Sequence, residues 1–186
     1  TVTLNTLAGI KVLKLNLKDG AVDTVTVDMG EPILKAEDIP VISDKYPVIG
    51  EKISALGREF DFTCVSMGNP HAVTFVEDTD DFDVAGYGSI LEVDKHFPRK
   101  ANIEFVQILD RTHVKMRVWE RGAGETLACG TGACGVTVAC ALNNVCDRKI
   151  NLALLGGELT IEWSEKDNHV YMTGPARFSF DGVWLK

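Results

Sequence analysis

Glu120-Arg121-Gly122-Ala123-Gly124-Glu125-Thr126-Leu127-Ala128-Cys129-Gly130-Thr131-Gly132-Ala133-Cys134-Gly135 runs directly into Val136-Thr137-Val138-Ala139-Cys140-Ala141-Leu142. The second part reads as a helix of small residues, from about Thr131 to Asn144, with apolar groups on nearly every side. A short helix of that kind in a globular chain needs burial all round. A wrap of antiparallel strands would supply it.

The same stretch places Cys129 at the start of that helix. Unpaired backbone N–H groups and the positive end of the helix dipole favour an anion there. Two species could use the position. One is a cysteine thiolate, whose pKa would fall below the free value of about 8.5; the other is a substrate carboxylate held by the N–H groups of Gly130 and Thr131. A site that holds an amino acid's carboxylate beside a thiolate can reach its α-proton.

Competing readings are weaker. Gly130, Gly132 and Gly135 fit the dinucleotide fingerprint, but that pattern must follow directly on a strand, and the strand-like Val114–Trp119 ends well before it. Cys134 and Cys140 lie inside the apolar helix and read as small core hydrophobes. The cysteine positions 129, 134, 140 and 146 contain no close ligand pair, so no metal is expected. Glu77–Asp83 resembles a calcium loop only superficially, because Phe82 and Asp83 stand where a ligand and a glycine are required. It reads as a solvated loop leading to a helix.

Outward from the helix, strand-like alternation recurs at residues 10–17, 21–29, 59–67, 72–76, 103–110, 113–119, 158–163 and 169–173. Turn signals such as Lys18-Asp19-Gly20 and Gly156-Gly157 separate these runs. The spacing predicts antiparallel sheets or a barrel rather than a doubly wound parallel sheet. A second helix is expected from Val84 to about His96.

With 186 residues, 45% hydrophobic and 25% charged, the chain can bury a real core in one or two small domains. A net charge of −8 with no basic cluster argues against nucleic acid and anionic membranes and suits a small zwitterionic or cationic ligand. Five cysteines, an odd count without a secretory signal, point to a reduced cytoplasmic setting. No apolar run approaches a membrane span. Thr1–Thr6 already alternates like the middle of a strand, which reads as the interior of a longer chain.

Two further elements carry chemistry. Ser66-Met67-Gly68-Asn69-Pro70-His71 interrupts two apolar strands with an amide and an imidazole, and Asn before Pro is held extended. Ala101-Asn102-Ile103-Glu104-Phe105 sets an amide just ahead of a strand. Each alone is compatible with ordinary turn chemistry.

Together, Gly68-Asn69-Pro70-His71, Asn102-Ile103-Glu104-Phe105 and Glu120-Arg121-Gly122 through Cys129-Gly130-Thr131-Gly132 resemble the diaminopimelate epimerase family over essentially the whole chain. The resemblance implies a cofactor-independent isomerase that interconverts LL- and meso-diaminopimelate, on the route to lysine and peptidoglycan, with two cysteines on opposite faces of the α-carbon. It implies an α+β fold of two pseudo-symmetric domains, each an antiparallel barrel around a central helix, with the active site between them.

By the same resemblance Cys129 is one of the two acid/base cysteines, and Gly130 and Thr131 hold the α-carboxylate. Asn69, Asn102 and Arg121 contact the polar ends of the substrate; His71 and Glu120 lie beside the cysteines and support proton transfer or binding. The family's other cysteine precedes an Asn-Gly pair in an N-terminal motif that this sequence does not contain, and Cys64 reads as a core strand residue. The expectation is one complete domain over residues 30–174, with residues 1–29 and 175–186 as remnants of the other, the chain alone being catalytically incomplete. A homodimer is one assembly open to it. A proline or hydroxyproline racemase and a non-catalytic amino-acid-binding module are the alternative readings.

Overall fold

The helix announced by the sequence forms as Gly130–Leu142, and every residue from Gly132 to Cys140 is buried. In the computed structural model, which describes residues 1–6 and 9–184, it is the second of two helices: α1 spans Val84–Leu91 and α2 spans Gly130–Leu142. Valine and threonine are mediocre helix formers, costing a few tenths of a kcal/mol each. Burying Val136 and Val138 completely contributes about 1.5–3 kcal/mol per side chain. Packing therefore outweighs propensity, and α2 depends on its wrapping.

That wrapping comes from β1 (Val2–Thr6), β2 (Gly9–Lys18), β3 (Ala21–Asp28), β4 (Glu51–Ala55), β5 (Arg58–Ser66), β6 (Pro70–Phe75), β7 (Asn102–Ile108), β8 (His113–Glu120), β9 (Gly124–Thr126), β10 (Lys149–Leu154), β11 (Gly157–Trp163) and β12 (Val170–Pro175). Among the described residues they join in the order β1-β2-β3-β12-β11-β10-β8-β7-β6-β5-β4, with β9 paired to β8. The path from β1 to β4 stays open, yet α2 packs on β5, β6, β7, β10, β11 and β12, so the sheet curls around it. β6 with β7 and β8 with β10 run parallel. The wrap is thus mixed, where the alternation predicted antiparallel pairing throughout.

Two cores form on opposite faces of the strands. Val65, Val73 and Val106 join α2 in one cluster; Cys64, Ala72, Ile103 and Phe105 join residues of α1, β4 and the 36–48 segment in the other. β5, β6 and β7 are therefore buried on both faces by simple alternation.

The loop before α1 is held by Arg117, whose Nη1 donates to the carbonyls of Thr79 and Phe82 at 2.8 and 3.0 Å. Asp83 caps α1 by accepting the Gly86 N–H at 2.9 Å. This helix is shorter than the predicted run to His96, because Asp94 takes the His96 N–H at 2.9 Å. Such a local turn competes with helical hydrogen bonding. β4, β9 and β10 are additional to the predicted strands.

β3 is bonded to β12 from Tyr171↔Asp28 to Pro175↔Thr24. Large apolar side chains on the first strands and near the last residues stand exposed, among them Ile10, Leu17, Phe178 and Trp184. Residues 7, 8, 185 and 186, which fall in the expected remnant segments, lie outside the described residues. No helix among the described residues is long and apolar enough to cross a membrane.

Candidate active site

The sheet gathers the candidate residues at one end of three neighbouring strands. His71 at the start of β6 is in register with Asn102 at the start of the parallel β7. β8 runs the other way, with Trp119 opposite Ile103, which brings Glu120 and Arg121 back to the same end. α2 begins there too. Asn69, His71, Asn102, Glu120, Arg121, Cys129, Gly130 and Thr131 are thereby brought into one region.

Cys129 is the N-cap of α2, with extended backbone at φ −134° and ψ 106°. Its Sγ accepts the Gly132 N–H at 3.3 Å and lies 3.6 Å from Thr131 Oγ1. Its carbonyl accepts the Ala133 N–H at 2.9 Å. Among the described residues the N–H groups of Gly130 and Thr131 have no hydrogen-bond partner; these are the orphan donors of a helix start, suited to an anion.

The thiol itself departs from the predicted activation. Burial, and then the Glu104 carboxylate, push Cys129 up to about 12, against the opposing hydrogen bonds from Thr131 and Gly132. Desolvation of a thiolate outweighs two helix-end hydrogen bonds here. The resting form is therefore the thiol.

His71 and Glu104 have no exposed surface. His71 Nδ1 lies 2.6 Å from Glu104 Oε1, and Nε2 lies 3.1 Å from Asn69 Oδ1. Glu120 accepts the Thr126 hydroxyl at 2.5 Å. It also lies close enough for its charge to raise both Glu104 and Cys129 as a minor contribution.

Asn102 and Arg121 are occupied largely in holding the frame. Asn102 Nδ2 donates to the Pro70 carbonyl at 2.9 Å while Oδ1 accepts the Arg121 N–H at 2.9 Å. Arg121 Nη1 donates to the Arg99 carbonyl at 3.0 Å, and its guanidinium is otherwise exposed. The turn carrying Arg121 is further fixed by Gly122, whose φ of +77° suits glycine and whose N–H donates to Glu92 at 2.9 Å.

A groove of about 620 Å³, lined by Leu15, Val22, Val25 and Phe178, and one of about 510 Å³, lined by Lys35, Ser43, Asp44 and Tyr46, touch none of these residues. Chemistry rather than concavity marks the strand end as the candidate site.

Residues 63–179, which hold all of the candidate residues, match the sequence model of the family described as diaminopimelate epimerase. The chain belongs to the diaminopimelate epimerase family. It is 59% identical over 182 residues to the diaminopimelate epimerase of Methanococcus maripaludis, covering 98% of this chain and 66% of that protein. It is 58% identical over 181 residues to that of Acetivibrio thermocellus, covering 97% and 65%. This diaminopimelate epimerase family chain thus spans just under two thirds of the length of these curated relatives.

Among solved structures, the fold is similar to a hydroxyproline epimerase from Agrobacterium vitis with TM-score 0.64 and 16% identity, covering 94% of this chain and 56% of that one. It is similar to a probable proline racemase from Agrobacterium radiobacter with TM-score 0.64 and 15% identity, covering 100% and 60%. At these identities the likeness concerns the fold alone.

Glu104, paired with His71, is a further candidate residue of this diaminopimelate epimerase family chain beyond those the sequence singles out. Its signal was present: in Asn102-Ile103-Glu104 it shares a strand face with Asn102.

Proposed function

We propose that this chain carries one half of an epimerase site for 2,6-diaminopimelate, with Cys129 as one acid/base and a second thiol contributed from outside these 186 residues. The observation that carries the reading is the meeting of Cys129 and the unpartnered Gly130 and Thr131 N–H groups with His71, Asn102 and Glu120 at one strand end. Residues 30–174 form the half that holds these groups, while residues 1–29 and 175–186 belong to a second unit.

Inverting a stereocentre without a cofactor needs a proton removed on one face and delivered on the other. A thiolate on one face takes the α-proton, the electron pair is left on the α-carbon, and a thiol on the opposite face gives its proton to that carbon. Thiol and thiolate exchange places and atoms balance. Cys129, resting as a thiol, enters as the acid. The Gly130 and Thr131 N–H groups would hold the α-carboxylate as charge builds toward it, and Asn69 and the exposed guanidinium of Arg121 would hold the polar groups at the other end. Fixing both ends positions the α-carbon between the thiols.

Cys64, Cys134 and Cys140 are poor candidates for the second thiol: each is fully buried, and Cys64 lies in the core on the other face of β5. The net charge of −8 supports a small zwitterion over nucleic acid as ligand.

Incubation of a full-length family member carrying these residues with LL-diaminopimelate in deuterated water tests the reading. Deuterium should enter at the α-carbon with formation of the meso isomer, and Cys129→Ala should abolish it. Exchange of proline instead would select the racemase alternative, and binding without exchange would select a non-catalytic module.

A further inference from the structure

A carboxylate in an apolar interior is costly unless both oxygens are satisfied. Glu104 breaks that expectation. It has no exposed surface, one oxygen pairs with His71 Nδ1 at 2.6 Å, and among the described residues its Oε2 has no hydrogen-bond partner. Its Oε1 lies only 2.9 Å from where a Cβ on Gly132 would stand, and Cys129 Sγ lies 3.2 Å from the same point. An apolar side chain of similar volume would serve the core better, so stability does not account for this residue.

We propose that Glu104 is a positioning residue of the site: held against the helix turn that carries Cys129, it fixes the His71 imidazole and sets the charge that the Cys129 sulfur faces. The inference rests on the reading of Cys129 as an acid/base group. Asn69 Oδ1 can only accept, so His71 Nε2 carries a hydrogen toward it. A single proton then lies between Nδ1 and Oε1. Loss of the proton leaves Cys129 facing a buried negative charge.

The titratable groups facing Glu104 are His71 from β6, Glu120 from the end of β8 and Cys129 from the start of α2; Cys64, on the opposite face of β5, is reached only by the Glu104 charge. Burial raises Glu104 against the lowering effect of His71, and the Glu104 charge is the second cause, after burial, of the raised Cys129 thiol.

The test compares iodoacetamide labelling of Cys129 at about pH 8.5 in the 186-residue chain and in Glu104→Gln, which keeps the volume and a donor toward His71 but cannot ionise. Removing a charge at this range should lower the thiol by about one unit, giving roughly tenfold faster labelling. Cys134 should remain unlabelled in both proteins, and Glu104→Asp, which restores the charge, should restore slow labelling. Equal or slower labelling of Cys129 in Glu104→Gln overturns the inference, as does faster labelling of Cys134 alongside it, which would signal loosened packing. A Cys129 silent in both proteins removes the acid/base reading as well. The unsubstituted chain offers a check independent of any variant: ¹⁵N shifts of His71 should show a hydrogen on Nε2, directed to Asn69, and an Nε2 without one overturns the inference.

Discussion

Asn102 Oδ1 accepts the backbone N–H of Arg121 at 2.9 Å while its Nδ2 donates to Pro70, so one buried amide ties the start of β6 to the turn beyond β8. Asn102→Ala should cost about 1–3 kcal/mol, the usual result of stranding buried backbone groups. Urea unfolding measures it. An unchanged midpoint would mean that the amide is no tie.

The first turn of α2 makes a paired prediction at two glycines. A Cβ on Gly132 would meet Glu104 Oε1 at 2.9 Å and Cys129 Sγ at 3.2 Å, whereas one on Gly130 would meet only the flexible Met172 side chain, its Sδ at 3.1 Å. Gly132→Ala should destabilise by about 1–3 kcal/mol, the range for overpacking, and Gly130→Ala by less. Equal thermal shifts for the two would refute crowding by the buried carboxylate.

Cys129 should be the first thiol of α2 to react. With its pKa raised to about 12, iodoacetamide labelling will be slow near neutrality and should climb about tenfold per pH unit. Cys134 and Cys140, fully buried, should stay silent over that range. Peptide mapping that found all three labelled equally would remove Cys129 from the site.

Stability should also depend on pH through His169, whose Nδ1 lies 2.8 Å from Asp28 Oδ1. The hydrogen bond to Asp28 is the largest cause of its raised pKa. The folded value exceeds the unfolded one, so the contribution is fully present below about 6.5, the free histidine value, and is lost as pH rises through the folded pKa. His169→Gln should flatten this loss. If urea midpoints of the two proteins fell in parallel between about pH 5.5 and 8, the pair would play no part.

Much of this architecture is legible in the chain. The absence of a polar face from Ala133 to Leu142 announces a wrapped helix, and the Gly-rich run before it announces an N-terminus with Cys129 as its cap. The parallel pairing of β6 with β7 is not legible, because alternation tells which face a residue takes and not which strand lies beside it. Lys149–Leu154 does alternate, but it is brief and borders a helix end, so its strand signal is faint. Glu104 is only half legible: its spacing from Asn102 gives the strand face, but a charged residue in an alternating strand reads as solvent-facing, and only a strand buried on both faces turns it inward. The Cys129 thiol shows the same limit, since helix-end activation is visible in sequence while desolvation is a property of the packed site.

The bond between β3 and β12 has a consequence for biosynthesis. One edge of β3 finds its partner only when Val170–Pro175 has left the ribosome, after all the intervening sequence has been made. Contacts so distant in sequence are the slowest to close. For that whole interval β3 presents an unpaired edge, and it is during synthesis rather than after it that this edge is most open to pairing with a neighbouring nascent chain.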